Sequence, residues 1–289
     1  MPTTWRPFAG LPLVAMLLAA CAGSAPSPTP EPSAPAGAAF RLRLTTVQAL
    51  PPSATFGWLP QLVIKADGRV LQAGAVPAIF PGPLVQPIFA RQLSPAGWAR
   101  IVAAARAAGL LSGAVDFTGG QMPPGSAATR LEIVADGRVY EMTGDPSRVI
   151  QCIQAPCVAP PGTPEAFAGF VQAVSDPASI AGPAELGPDV AYVPEGYAVI
   201  VGAVPDDQGI PQPPMAWPLG GFAAFGKPLA DGSGGRCGVI TGQDAAALHA
   251  SLNAARQTTA WRDPVDGSLH GLVVRVLLPG DGDLCEGLV

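Results

Sequence analysis

The chain has 289 residues, 48% of them hydrophobic, with 16 Lys and Arg against 21 Asp and Glu and a formal net charge of −5. That length suits one large domain or two smaller ones. The acidic balance, without clusters of Lys and Arg, excludes a nucleic-acid surface, and no nucleic-acid partner is expected.

The first element is a signal segment. Arg6 is the one charge before the apolar run Leu11–Ala20, LPLVAMLLAA. A bilayer span needs about 20 such residues, so this run is too short to cross one and suits the core of a signal peptide. The four residues that close it, Leu18-Ala19-Ala20-Cys21, resemble the lipobox of bacterial lipoproteins. The resemblance implies cleavage before Cys21, acyl chains on Cys21 and an extracytoplasmic protein anchored to the cell membrane through that lipid. Two or more chains hold firmly where a single one is marginal. Removing residues 1–20 takes Arg6 away, leaving 15 basic against 21 acidic residues and a net charge of about −6.

Residues 21–39 follow as the acylated cysteine and a tether. Ala22–Ala39 is Pro-, Ser- and Ala-rich with no bulky apolar residue, so it has nothing to bury in a core. The folded part is expected from Phe40, as an N-terminal α+β part over 40–180 and a C-terminal α+β part over 181–289. The expected architecture is hairpin-built antiparallel sheets, each packed by one or two amphipathic helices and stapled by disulfides.

In the first part, LVIKADGRVLQ (62–72) and LEIVADGRVYEM (131–142) share the phrase ADGRV. Asp-Gly between alternating apolar residues predicts a two-residue hairpin loop. That register sets Ile64 opposite Leu71, Ile133 opposite Tyr140 and Leu131 opposite Met142. It also sets Glu132 opposite Glu141, which requires a wet face. Ser94-Pro95 predicts a helix start with Trp98, Ile101, Val102 and Ala105 on one face and Gly109 at the end. Thr163-Pro164 opens a second helix with Phe167, Phe170, Val171 and Val174 on its stripe.

In the second part, Tyr197–Val204 and Cys237–Ile240 read as strands. Thr241–Asp244 resembles a capping box for a third helix striped by Ala245, Leu248, Leu252 and Ala255. Thr258–Trp261, a turn at Asp263–Gly267 and Gly271–Leu278 complete the pattern. The last run is apolar on both faces except Arg275, which predicts a central strand and a carboxylate partner for Arg275.

With Cys21 lipidated, Cys152, Cys157, Cys237 and Cys285 remain. An even number outside the cytoplasm reads as disulfides, and four cysteines allow three pairings. Cys152–Cys157, closing a tight loop, and Cys237–Cys285, tying a glycine-rich loop to the C-terminal tail, are favoured. Cys237 and Cys285 lie too far apart in sequence for a second zinc knuckle, and four residues separate Cys152 from Cys157 where a redox pair has two. No metal or cofactor is expected.

No G-x-S-x-G, phosphate-binding glycine loop or H-x-x-x-H occurs, and His249 and His270 are isolated. Asp281-Gly282-Asp283 lacks the periodicity of a calcium loop. No catalytic residue is assigned. The stapled, proline-rich loop 151–164, with Gln154 and Pro156, and the aromatic loop holding Trp217 and Phe222 are the candidate contact surfaces.

The mature part also resembles uncharacterised secreted lipoproteins of GC-rich bacteria. The likeness lies in PDVAYVPEGYAVIV (188–201), WPL (217–219), CGVITGQDAAAL (237–248) and LVVRVLLPGDGDLC (272–285). It implies no activity, and it favours the Cys237–Cys285 pair that closes the block. The expected function is non-enzymatic binding of an envelope protein or peptide. The alternatives are a protease-inhibitor-like module on loop 151–164 and an unrecognised hydrolase.

Overall fold

The computed structural model describes residues 38–120, 125–148 and 159–289. Cys21, the signal segment, most of the tether, and Cys152, Gln154, Pro156 and Cys157 lie outside them.

The first sheet has eight strands: β1 (Phe40–Gln48), β2 (Leu62–Lys65), β3 (Arg69–Ala73), β4 (Ile88–Gln92), β5 (Val115–Asp116), β6 (Ala127–Ala135), β7 (Arg138–Gly144) and β8 (Val190–Ala191). Their order is β5-β7-β6-β1-β2-β3-β4-β8, antiparallel throughout except β5 with β7. The second sheet comprises β9 (Gly196–Gly202), β10 (Met215–Ala216), β11 (Lys227–Pro228), β12 (Arg236–Thr241), β13 (Trp261–Arg262) and β14 (Leu269–Val276). Its order is β10-β13-β14-β9-β12-β11, and only β10 with β13 is parallel. Among the described residues five α-helices accompany them: α1 (Pro52–Thr55), α2 (Pro95–Ala107), α3 (Pro164–Val174), α4 (Pro177–Ala181) and α5 (Gly242–Ala254). The protein is mixed α+β with two sheets dominated by antiparallel pairing.

The two ADGRV phrases take different turns. In β6–β7, Ala135 faces Arg138, and Asp136 and Gly137 both have positive φ, at 51° and 72°. This is the expected two-residue loop, and Ile133 faces Tyr140. In β2–β3, Ile64 faces Val70, not Leu71, and Val63 faces Leu71. Gly68, at φ 86°, closes a three-residue loop by donating its N–H to the Lys65 carbonyl at 2.9 Å. The reason lies in burial. Leu62, Ile64 and Val70 enter one core while Val63 and Leu71 enter another. A strand pair apolar on both faces leaves its register unspecified by pattern.

Alternation on β1, β6 and β7 places Leu42, Leu44, Leu131, Ile133, Tyr140 and Met142 in a core shared with Trp98, Ile101 and Val102 of α2 and Phe167, Phe170 and Val171 of α3. Ser94 Oγ accepts from Gly97 N and Thr163 Oγ1 from Ala166 N, so both helices start on side-chain caps. Thr241 precedes α5 without a side-chain cap, so the expected capping box does not form there. Its stripe Ala245, Leu248, Leu252 and Ala255 is nevertheless buried, in a second core with Tyr197, Val199, Leu272, Val274 and Val276. Packing, not capping, holds this helix.

Two strand expectations change. Of Thr258–Trp261 only Trp261 enters a strand, Thr258 and Thr259 being buried in the connection before it. β14 lies between β13 and β9, but Val273 is exposed, so its outer face is only partly covered.

Candidate ligand-binding groove

The period of two that sends Leu42 and Leu44 into the core turns Arg43 and Thr45 to the opposite face of β1. On β6 the same alternation turns out Arg130 and Glu132. β1 and β6 are in register there, with Arg43 beside Glu132 and Thr45 beside Arg130. On β14, Leu272, Val274 and Val276 point to the second core, which places Arg275 on the other face. The turn after β14 then brings in Asp281, whose N–H bonds the Leu278 carbonyl at 3.0 Å.

Asp281 is the carboxylate that Arg275 requires. Its Oδ1 accepts from Arg275 Nη2 at 2.7 Å and from Arg43 Nη2 at 2.5 Å, and its Oδ2 accepts from Leu278 N at 2.8 Å. The side chains are 10%, 14% and 2% exposed for Arg275, Arg43 and Asp281. One carboxylate thus joins an arginine of the first sheet to an arginine of the second. Arg43 Nη1 also donates to Gly280 O at 2.6 Å and lies 3.9 Å from Glu132 Oε2.

Glu132 faces Glu141 as the register requires, and the expected wet face holds for Glu141, which is 44% exposed, but only in part for Glu132, which is 17% exposed and lies 3.9 Å from Arg43. Burial raises the Glu132 pKa above the ordinary glutamate value, opposed by Arg43 and Arg130 and reinforced by Glu141. Burial likewise lowers the Arg275 pKa, against the pull of Asp281. Glu141 takes the other cation, Arg130, at 3.1 Å.

Arg43, Thr45, Arg130, Glu132 and Arg275 wall a groove of about 300 Å³ with Thr46, Gln48, Leu59 and the exposed Trp58. Among the described residues, the buried polar side-chain atoms without a hydrogen-bond partner include Arg43 Nε, Arg275 Nε and Thr45 Oγ1, all from this groove. Buried donors are nearly always paired, so three unpaired atoms around one groove single it out.

The residues expected from sequence fall elsewhere. Cys237 and Cys285 are bonded, with Cα atoms 5.7 Å apart, and are buried with Phe56, Ala198 and Leu288. Trp217 and Phe222 do not form a contact surface. Each is 2% exposed, with Trp217 packed against Phe222, Phe225 and Trp261. The loop is pulled down because Asp263, itself buried, accepts the Phe222 N–H at 2.7 Å. Gln154 and Pro156 lie outside the described residues.

His249 is held between the Tyr197 hydroxyl at 2.7 Å and Asn253 Nδ2 at 3.0 Å. His270 Nε2 lies 2.8 Å from Ser268 Oγ, but that hydroxyl also donates to Asp266 Oδ1 at 2.5 Å. Asp145 with Ser147 and Asp116 with Thr118 repeat the same Asp-x-Ser/Thr bond on exposed turns. A serine whose proton goes to the carboxylate two residues earlier is a turn motif, not a nucleophile primed by histidine. Asp283 Oδ1 accepts from Cys285 N at 2.9 Å, an Asx turn, while Asp281 serves the arginines.

The groove was missed because its polar residues sit singly in apolar strands, as in RLRL (41–44) and TRLEI (129–133). The available signal was that alternation: an Arg or Glu every second residue marks the face turned away from the core. Comparison with protein-family models, curated proteins and solved structures finds no match to this chain, so the groove is read from its own residues alone.

Proposed function

We propose that the chain is a lipid-anchored extracytoplasmic envelope protein that works by binding rather than by catalysis. Its place in the cell rests on Leu18-Ala19-Ala20-Cys21 directly after an apolar run. A disulfide between Cys237 and Cys285 accords with an oxidising compartment. In this reading a second disulfide joins Cys152 to Cys157. The hairpin-built sheets, each packed by one or two amphipathic helices, then form a rigid body carried on the 21–39 tether. The observation that carries binding is the groove, where buried arginines converge with unpaired polar atoms and no activated nucleophile stands among them.

The test is export of the full chain in a bacterial host, followed by detergent-phase partition and mass spectrometry of the N-terminal peptide. The expected result is a chain beginning at an acylated Cys21 in the detergent phase, with Cys21→Ser in the aqueous phase. A wild-type chain that keeps residues 1–20 and stays aqueous overturns the anchor. Crosslinking on intact cells tests for an envelope protein or peptide partner.

A further inference from the structure

We infer that the groove between β1, β6 and β14 binds the carboxylate of a small organic acid. The inference rests on the binding reading above and adds the ligand class.

Three arginines, Arg43, Arg130 and Arg275, meet one carboxylate, Glu132, on the groove wall. Glu141 engages Arg130 from outside it, and Asp281 engages the other two. Asp281 uses a single oxygen for both guanidiniums, each through Nη2. The Nε–H of Arg43 and of Arg275 is left without an acceptor, and so is the hydroxyl of Thr45, whereas Arg130 Nε lies 3.1 Å from Glu141. Arg275 is nine-tenths buried, so bulk water does not serve its Nε. Guanidinium edges match a planar two-oxygen acceptor, which a carboxylate supplies and a halide or a neutral hydroxyl does not.

Glu132 decides between anions. It stands 3.9 Å from Arg43 in a partly desolvated setting, so a doubly charged phosphate placed beside it meets stronger repulsion than a singly charged carboxylate. Val47, Leu59, Leu284 and the exposed Trp58 supply the apolar part of the lining. The volume, about 300 Å³, stands at the lower limit of small-molecule sites, which suits a compact acid with a flat apolar body.

The experiment is isothermal titration calorimetry on the full chain in detergent with benzoate, acetate, benzamide and inorganic phosphate. Saturable heat is expected with benzoate, weaker heat with acetate, and none with the isosteric neutral benzamide. Arg275→Met is expected to weaken benzoate at least tenfold. Because that variant also disturbs Asp281, Thr45→Val serves as the second variant. It leaves every ion pair in place and is expected to weaken benzoate severalfold with unchanged unfolding behaviour. Benzamide binding as well as benzoate, or phosphate saturating where carboxylates do not, overturns the carboxylate inference and leaves the binding reading intact. Absence of heat from all four probes, or unaltered benzoate binding in both variants, overturns the groove as a site. In that case a partner recovered by crosslinking would still support binding elsewhere on the protein.

Discussion

Replacing Asp281 with asparagine keeps the side chain's shape and removes the one negative charge shared by two buried guanidiniums. Arg43 Nη2 and Arg275 Nη2 lie 2.5 and 2.7 Å from the same oxygen, so they are at most about 5 Å apart. At an effective dielectric of about 20, two like charges at that distance repel by roughly 3 kcal/mol. An asparagine carbonyl retains part of each hydrogen bond, and charge-assisted bonds contribute about 1.5–3 kcal/mol each. The expected loss is therefore about 3–5 kcal/mol, the range for removing one partner of a buried ion pair. Urea unfolding followed by tryptophan fluorescence measures it, the slope against denaturant checking that only stability has changed. Removing one cation as well should relieve the repulsion, so Arg275→Met with Asp281→Asn should be less destabilised than Asp281→Asn alone. A loss below about 1 kcal/mol in the single variant would refute the assignment of Asp281 as the charge that joins the two sheets.

Further expectations follow from the same geometry. Replacing Cys237 and Cys285 with serine opens a loop with sequence separation 48, and should cost about 4 kcal/mol in the chain-entropy model, read as a lowered urea midpoint. Ser94→Ala removes the cap on Gly97 N and should cost about 1 kcal/mol, whereas Thr241→Ala should stay within about 0.5 kcal/mol, both by urea midpoint. Burial, with a smaller contribution from Tyr192, pushes the Tyr197 hydroxyl up to about 12. The unfolded chain loses that proton first, near pH 10, so this stabilisation is complete below pH 10 and lost as pH rises towards 12. The effect is on the order of 2–3 kcal/mol for this fully buried side chain. Tyr197→Phe should flatten that alkaline decline in urea midpoints measured between pH 9 and 11.

Local signals carried far along the chain. Ser94-Pro95 and Thr163-Pro164 start α2 and α3 because a cap and a proline act within one turn, and both apolar stripes are buried. Asp136-Gly137 makes its hairpin because one face of β6–β7 has a single core to enter. The same five letters at 66–70 form a different turn because β2 and β3 are buried on both sides, where alternation carries no register. Thr241 resembles a cap by composition and does not act as one.

The candidate groove is the larger gap. Arg275 announced its need for a carboxylate as the lone charge in an apolar strand, but nothing in the order of residues names Asp281. Still less does it name Arg43, 238 positions from Asp281. By itself the sequence determined the starts of α2 and α3, the Asp136-Gly137 turn and the α+β class, all set by short-range chemistry, whereas cysteine parity left three pairings open until the structure joined Cys237 to Cys285. Only the tertiary structure decided the β2–β3 register, the burial of Trp217 and Phe222 and the meeting of Arg43, Glu132 and Arg275. Each of those depends on which strands become neighbours, and alternation along a strand tells which side chains share a face but not what that face meets.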